Sequence, residues 1–142
     1  MDKQADRIVA AARRCIGARF RVQGRTVEDG LDCVGLVALA LGEAGVRALA
    51  PNGYRLSGDN GGRFEPALHL AGLERLGPEQ ARAGDILLIA QSAGQRHLAV
   101  RTATGFIHAH AGLCKVVETP GWPERPVISA WRPKRSISSW QP

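Results

Sequence analysis

The chain has 142 residues and a formal net charge of +6, with 44% hydrophobic and 23% charged residues. This length suits one domain with one hydrophobic core, and this balance of residues is typical of a globular protein. Three widely spaced cysteines, at positions 15, 33 and 114, exclude a disulfide scaffold and form no CxxC pair for a zinc ribbon or a redox dithiol.

The first residues, MDKQADRIVAAARRCIG, are charged and amphipathic. Apolar residues recur at helical spacing from Ile8 to Cys15, which predicts a helix over about residues 3–16 that ends at Gly17. Because this segment has no apolar stretch followed by a cleavage site, we expect no signal peptide. The longest apolar run is about half of what a membrane span needs, so we expect no membrane span either.

A second helix is predicted from about Cys33 to Ala44, after the loop ARFRVQGRTVEDGL. It is apolar on all sides, which places it at the centre of the fold. Residues 46–63 are rich in Gly, Asn and Pro and are expected to form a loop. The stretch FEPALHLAGLERL then predicts a short helix with Pro66 in its first turn, where proline is tolerated.

The second half of the chain changes to short apolar runs bounded by Gly, Pro or polar turns, which predict β-strands. The five predicted strands cover residues 84–90, 96–103, 105–110, 114–119 and 126–132. Their spacing favours a meandering antiparallel sheet, and helices followed by strands indicate an α+β domain. We expect this domain to span residues 1–135, followed by a basic tail over residues 136–142.

Cys33 lies at the predicted N-terminus of the second helix. A helix N-terminus favours negative charge, and thiolate is the nucleophilic form of cysteine. Unpaired N–H groups of the first turn can also stabilise an oxyanion on a carbonyl under attack. Cys33 therefore has the position of a cysteine nucleophile. Asp32 can cap the helix, but its charge opposes thiolate formation, so we expect Asp32 to have a structural role.

Four histidines are candidates for the base that such a nucleophile needs. His97 begins a predicted strand and shares its face with Ala99, a small residue that would let the nucleophile helix approach closely. His108 lies on the next strand, across a short turn, so we expect both imidazoles to lie within reach of one another. His110 shares the face of His108 and is the alternative partner. His69 lies among leucines in the predicted short helix, where we expect a structural role.

Less specific interpretations remain open. A cysteine in an apolar run is usually a small buried hydrophobic residue, and we keep that interpretation for Cys15 and Cys114. A metal site built from His108, His110 and Cys114 is conceivable, but the spacing matches no strong zinc pattern, and we predict neither a metal nor a cofactor. Dispersed basic residues without stacking aromatics argue against nucleic acid, whereas a basic surface suits an acidic polymer such as cell wall.

The stretch LDCVGLV resembles the nucleophile motif of the NlpC/p60 family of cell-wall cysteine peptidases. GDILLIA resembles the family's G-D-L strand, RHLAV its H-V-G-I strand with the catalytic histidine, and GFIHAH the following strand with the third polar residue. Order and spacing agree from about Ile8 to Ala109. The resemblance implies a papain-like α+β fold in which N-terminal helices pack on a small antiparallel sheet.

By position, the resemblance implies Cys33 as the nucleophile, His97 as the general base and His108 as the residue that orients His97. The family typically cuts peptide bonds of the peptidoglycan stem, often between D-γ-glutamate and a diamino acid. The sequence departs from the family pattern where Val34 replaces a frequent serine. It also has Phe20 where many members have a tyrosine hydroxyl near the oxyanion site. Backbone N–H groups or Gln23 would have to replace that donor. The candidate residues at the substrate and oxyanion site are therefore Phe20, Gln23, Asp32 and Val34.

A bare catalytic domain without a signal peptide resembles the peptidases of phage tails and gene transfer agents. That resemblance implies synthesis in the cytoplasm and delivery to the cell wall or periplasm in a phage-like particle, with tail-tip or hub proteins as partners. Two alternatives stay open. One is a structural tail-tip or wall-binding module with a vestigial site, which the Phe20 substitution favours slightly. The other is an acyltransferase or amidase on the same fold.

Overall fold

A computed structural model describes residues 2–46, 61–91 and 94–134 of the chain. Most of the loop predicted over 46–63 lies outside these residues, and so does the basic tail predicted over 136–142. In the described part, helices and an antiparallel sheet form the α+β architecture that the sequence predicts. No described helix is both long enough and apolar enough to cross a membrane.

Two helices begin the fold, close to their predicted positions. Helix α1 spans Lys3–Arg14, and Asp2 caps it by accepting a hydrogen bond from the Ala5 amide. Helix α2 spans Cys33–Glu43 and ends before Gly45, whose positive φ of 87° stops the helix. The buried face of α1 packs against α2, which is buried over most of its length, so α2 lies at the centre of the core as predicted.

The third helix differs from its prediction at both ends. Helix α3 spans Gly61–Leu70, so Pro66 lies inside the helix and not in its first turn. The predicted helical end, Leu73–Leu76, is instead strand β3. Gly72, with a φ of 92°, turns the chain out of the helix, and Leu73 is then buried in pairing with the last strand. That long-range pairing outweighs the local helix propensity of this segment.

Eight strands are present in the described part of the chain. Two of them, β1 (Arg25–Thr26) and β2 (Gly30–Leu31), form a small hairpin before α2. The other strands after β3 are β4 (Ile86–Ala90), β5 (Arg96–Arg101), β6 (Gly105–His110), β7 (Lys115–Pro120) and β8 (Val127–Pro133).

All six strands of the main sheet are antiparallel, in the order β3-β8-β4-β5-β6-β7. The five strands predicted in the second half of the chain are confirmed. The predicted meander is only partly right, because it holds from β4 to β7 but β8 returns to the free edge of β4. This return pairs β4 with β8 as well as with β5, so β4 is an interior strand of the sheet, as β5 and β6 are.

The two faces of the sheet carry separate apolar clusters. Leu98 and Val100 belong to the large cluster formed with the helices, whereas Ala99 belongs to a smaller one with Leu87 and Phe106. The prediction that Ala99 would let α2 approach is therefore wrong. Strand alternation shows which residues share a face, but not which face the helices cover.

Candidate active site

Asp32 organises the N-terminus of α2 as predicted. One carboxylate oxygen accepts a hydrogen bond from the Gly35 amide at 2.9 Å, and the Asp32 carbonyl accepts from the Leu36 amide at 2.9 Å. In the described part of the chain, no oxygen accepts from the backbone amides of Cys33 and Val34, and both amides lie towards the Cys33 sulfur, where they lower the pKa of the thiol. These two N–H groups are therefore available to an anion at the start of the helix.

Asp32 also ties the preceding loop to the helix. Its second carboxylate oxygen accepts from the backbone N–H of Gln23 at 2.6 Å, and Arg25 Nη1 forms an ion pair with the first oxygen, the one that also accepts from Gly35, at 3.3 Å. The Asp32 side chain is fully buried, and this burial raises its pKa although its hydrogen bonds and Arg25 lower it. The carboxyl group therefore serves mainly as a hydrogen-bond acceptor that holds the loop and the helix together.

Glycine is required where this loop contacts α2. A Cβ atom added at Gly35 would collide with the carbonyl oxygen of Gly24, and one added at Gly24 would collide with that of Gly30. These contacts bring the loop backbone directly against the first turn of the helix. The close approach that the sequence analysis assigned to Ala99 is thus provided by Gly24 and Gly35.

The two strand histidines are brought together as predicted. His97 is the second residue of β5 and His108 the fourth of β6. His97 Nε2 lies 3.0 Å from His108 Nδ1, and the ring planes stand at 74° to one another. A hydrogen bond of this length fixes the orientation of the His97 ring. It leaves His97 Nδ1 as the nitrogen that is available to another group.

Thr119 extends this pair and was not found by the sequence analysis. His108 Nε2 lies 2.9 Å from Thr119 Oγ1, on the neighbouring strand β7. When Thr119 Oγ1 accepts a hydrogen bond from the Nε2–H of His108, His108 Nδ1 is unprotonated and can accept a hydrogen bond from the Nε2–H of His97, which leaves His97 Nδ1 unprotonated. Thr119 pairs with Phe106 in the register of the two strands. Only that register, which the sequence does not reveal, places Thr119 beside His108.

A cavity of about 320 Å³ opens at the end of the sheet where α2 begins. Its lining residues are Phe20, Cys33, Gln91, Gln95, Arg96, His97, His108, Ala109, His110, Ala111 and Gly112. The structure thus brings the three residues of the predicted triad, Cys33, His97 and His108, to one cavity, together with Phe20.

Two predicted oxyanion donors are placed differently. The Gln23 side chain is exposed and does not line the cavity, and the backbone N–H of Gln23 donates to Asp32, so the structure does not place Gln23 where the sequence analysis expected a replacement donor. Its φ of 59° turns the loop so that the amide points at that carboxylate. Val34 has a side chain that is buried in the core, and only its backbone amide remains as a donor.

The thiol and the imidazoles are uncharged at neutral pH. Cys33 is only 3% exposed, and burial raises its pKa to about 12, with a further increase from the Asp32 charge, although hydrogen bonds from backbone amides, chiefly that of Leu98, lower it. Burial lowers the pKa of His97 to about 3 and that of His108 to about 4, helped by the neighbouring histidines. The expected thiolate is therefore not the resting form, because burial outweighs the helix N-terminus.

Cys15, Cys114 and His69 do not line this cavity. Cys15 is buried and donates to the Ala11 carbonyl at 3.4 Å, as expected for a small core residue. Cys114 is exposed, which contradicts its predicted burial, because it lies in the turn before β7 with a φ of 61°. His69 is exposed on α3. In the described residues, no group of three potential ligands is arranged to hold a metal ion.

His110, the alternative partner of His97, lies in a different environment. Its Nδ1 accepts a hydrogen bond from the Leu113 amide at 3.1 Å, within the turn between β6 and β7. Its ring lies 5.3 Å from that of His108, centroid to centroid. His110 therefore borders the cavity and the turn, whereas His108 makes the hydrogen bond with His97.

Comparison by sequence finds no known family and no curated protein that matches the chain. Comparison by structure finds NlpC/p60 domains. The NlpC/p60 domain of the peptidoglycan hydrolase SagA matches with a TM-score of 0.59 at 25% sequence identity, and the match covers 82% of this chain and 88% of the SagA chain. The peptidoglycan hydrolase RipB of Mycobacterium tuberculosis matches with a TM-score of 0.65 at 19% identity, over 92% of this chain and 64% of that one.

RipD of Mycobacterium tuberculosis, described as a non-catalytic NlpC/p60 domain protein adapted to peptidoglycan binding, has the same fold. It matches with a TM-score of 0.60 at 17% identity, over 93% of this chain and 98% of that one. The chain spans less than two thirds of the RipB structure but most of the other two. These likenesses confirm the papain-like NlpC/p60 fold that the sequence resemblance implies, and they include both hydrolases and a non-catalytic binding protein.

Proposed function

Because the chain has an NlpC/p60 fold, we propose that it is a cysteine peptidase that hydrolyses the stem peptide of bacterial peptidoglycan, between D-γ-glutamate and a diamino acid. The observation that carries this proposal is the cavity that Cys33 lines together with the hydrogen-bonded pair His97 and His108. A nucleophile, a base and a group that orients the base are the parts that thiol peptidases need. The basic net charge of the chain suits the acidic substrate.

In the proposed reaction, Cys33 Sγ attacks the scissile carbonyl while its proton passes to His97 Nδ1. The resulting imidazolium is stabilised because its Nε2–H donates to His108 Nδ1. The amides of Cys33 and Val34 donate to the oxyanion. His97 then protonates the leaving amine, and an acyl group remains on Cys33. A water molecule, deprotonated by His97, attacks that acyl group and releases the thiol.

The decisive experiment incubates the protein with purified sacculi and analyses the released muropeptides. We expect new fragments cut in the stem peptide with the wild-type chain and none with Cys33→Ala. Cys114→Ala is the matched control, because Cys114 is exposed and does not line the cavity. No new fragments, or equal cleavage by Cys33→Ala, would refute the proposal.

Because the Cys33 thiol and the His97 imidazole are both uncharged at rest, we expect an unusual dependence of the activity on pH. A base must be neutral to accept the thiol proton, and the lowered pKa of His97 keeps its ring neutral at all pH values above about 3. We therefore expect kcat/KM to hold as the pH falls through 6.5, the ordinary value for histidine. The profile would be measured on soluble muropeptides from pH 4 to 8, with circular dichroism at each pH as the control for folding. A loss of activity centred between pH 6 and 7 in folded protein would contradict this prediction.

The burial of Cys33 favours one alternative, a wall-binding module with a vestigial site. A thiol that is 3% exposed with a raised pKa is inert unless a substrate or a small movement opens the site. This alternative predicts that the protein sediments with sacculi, releases no fragments, and binds equally well as Cys33→Ala. The sacculus digestion therefore separates the two functions when bound and released material are both measured.

We also propose delivery of the protein to the cell wall in a phage-like particle, with tail-tip or hub proteins as partners. Support for this proposal comes from the resemblance of the sequence to phage-tail and gene-transfer-agent peptidases. Antibodies against the chain should label purified particles from the source cells. Absence of the chain from such particles would overturn this route and leave the proposed reaction untouched.

A further inference from the structure

Arg96 is the one charged side chain among the cavity-lining residues that the structure describes. The other lining side chains are small, apolar, amide or histidine groups, and no carboxylate is among them. The histidines of the proposed triad are neutral, since burial lowers their pKa. The positive charge at this cavity therefore comes from a single guanidinium, and it is not balanced by an acid of the cavity lining.

Arg96 also has no acidic partner elsewhere in the described residues. The ion pairs found there use five other arginines, Arg13, Arg14, Arg25, Arg75 and Arg132. Arg96 Nη1 makes only a long bond of 3.4 Å to the carbonyl oxygen of Gln95, its neighbour in the chain. A partly buried guanidinium with unused donors matches the planar shape of a carboxylate and binds it with two hydrogen bonds.

The position of Arg96 argues that its partner is a bound molecule. Arg96 and His97 are consecutive in β5, so their side chains leave the strand on opposite sides, and both line the cavity. Arg96 is not among the causes of the pKa shifts of Cys33 and His97, which come from burial, Asp32, backbone amides and the other histidines. Arg96 thus lines the same cavity as the proposed reacting groups but does not serve to activate the thiol.

We propose that Arg96 binds a carboxylate of the substrate beside the scissile bond, and that the enzyme consequently selects stem peptides in which the α-carboxylate of γ-linked D-glutamate is free. This inference rests on the proposed function. In a γ-linkage the scissile carbonyl belongs to the side chain of glutamate, so the α-carboxylate remains as an anion a few bonds away. Amidation of that carboxylate removes its charge and an acceptor oxygen, so an amidated stem peptide loses the contact with Arg96.

The test compares L-Ala-γ-D-Glu-diamino acid peptides with their α-amides, each made with L-lysine and with diaminopimelate as the diamino acid. Binding is measured by calorimetry on Cys33→Ala, in which cleavage does not interfere, and on the same variant with Arg96→Gln added. Arg7→Gln in the Cys33→Ala background is the matched control, because Arg7 is exposed on α1 and outside the cavity.

We expect the free acid to bind about tenfold or more tightly than the amide, the usual scale of a charge-assisted hydrogen bond. Arg96→Gln should abolish this preference by weakening the acid alone, and Arg7→Gln should preserve it. The role of Arg96 would be overturned if the acid and the amide bound equally well, or if neither peptide bound. It would also be overturned if Arg96→Gln weakened the binding of both peptides equally. Cleavage by the wild-type chain is measured separately. A preference for the free acid without any cleavage would refute the proposed peptidase activity but support the proposed carboxylate site at Arg96.

Discussion

Replacing His97 with asparagine is expected to lower kcat/KM for stem-peptide cleavage by about a hundredfold to ten-thousandfold, the usual contribution of a general base. Asparagine keeps a polar side chain of similar length but cannot accept the thiol proton. Because Cys33 has a pKa of about 12, a thiol without a base stays protonated at neutral pH. The loss should therefore appear mainly in kcat, measured on soluble muropeptides at substrate concentrations above and below KM.

The matched control is His69→Asn, the same exchange at an exposed position of α3. It should leave kcat/KM unchanged, and both variants should unfold at the same temperature as the wild-type chain within a few degrees. If His97→Asn retained more than about a tenth of the wild-type kcat/KM, the general-base role would be untenable. In that event a thiolate generated without His97 would have to perform the attack.

Replacing Asp32 with alanine is expected to lower the free energy of unfolding by about 3 kcal/mol. Loss of a helix cap costs about 1 kcal/mol, and each buried donor left without an acceptor costs about 1–3 kcal/mol. Asp32 accepts from the amides of Gly35 and Gln23 as well as from Arg25. Equilibrium unfolding in urea, followed by circular dichroism, measures the change.

Two variants separate the contributions within this effect. Asp32→Asn keeps one acceptor oxygen for the Gly35 amide but places an NH2 donor where the backbone N–H of Gln23 needs an acceptor, so it should cost less than Asp32→Ala by about 1 kcal/mol, the value of the retained helix cap. Asp2→Ala removes the exposed cap of α1, which has one hydrogen bond at 3.1 Å, and should cost less than about 1 kcal/mol. Equal effects of Asp2→Ala and Asp32→Ala would show that Asp32 is no more than a helix cap.

The parts of the site that could be predicted are those carried by local patterns. An apolar run that begins with Asp32 and Cys33 predicts both the central helix and the thiol at its N-terminus. His97 and His108 fall on strands joined by a short turn, so their proximity follows from the antiparallel pairing of neighbours. Their roles as base and positioning residue came from the family resemblance and remain proposals.

The predictions that the structure contradicts concern features that depend on contacts between distant parts of the chain. The segment Leu73–Leu76 has a helical pattern, but pairing with β8 makes it a strand. Cys114 lies in a short run that resembles a strand, but the turn before β7 exposes it. The sequence analysis weighed only the helix N-terminus and the Asp32 charge as influences on the Cys33 thiol, whereas burial, which depends on the surrounding chain, has the largest effect on its pKa.

By itself, therefore, the sequence determined the α+β class, the helix that presents Cys33, and the strands that carry the two histidines. These features follow from hydrophobic periodicity and turn residues, which act over a few neighbouring positions and can be read directly from the sequence. Only the tertiary structure decided that Thr119 supports His108, that Asp32 holds the loop through Gln23 and Arg25, and that Arg96 borders the cavity. These contacts depend on strand register and on backbone approaches between distant segments, and a one-residue shift in register would turn each strand residue to the opposite face.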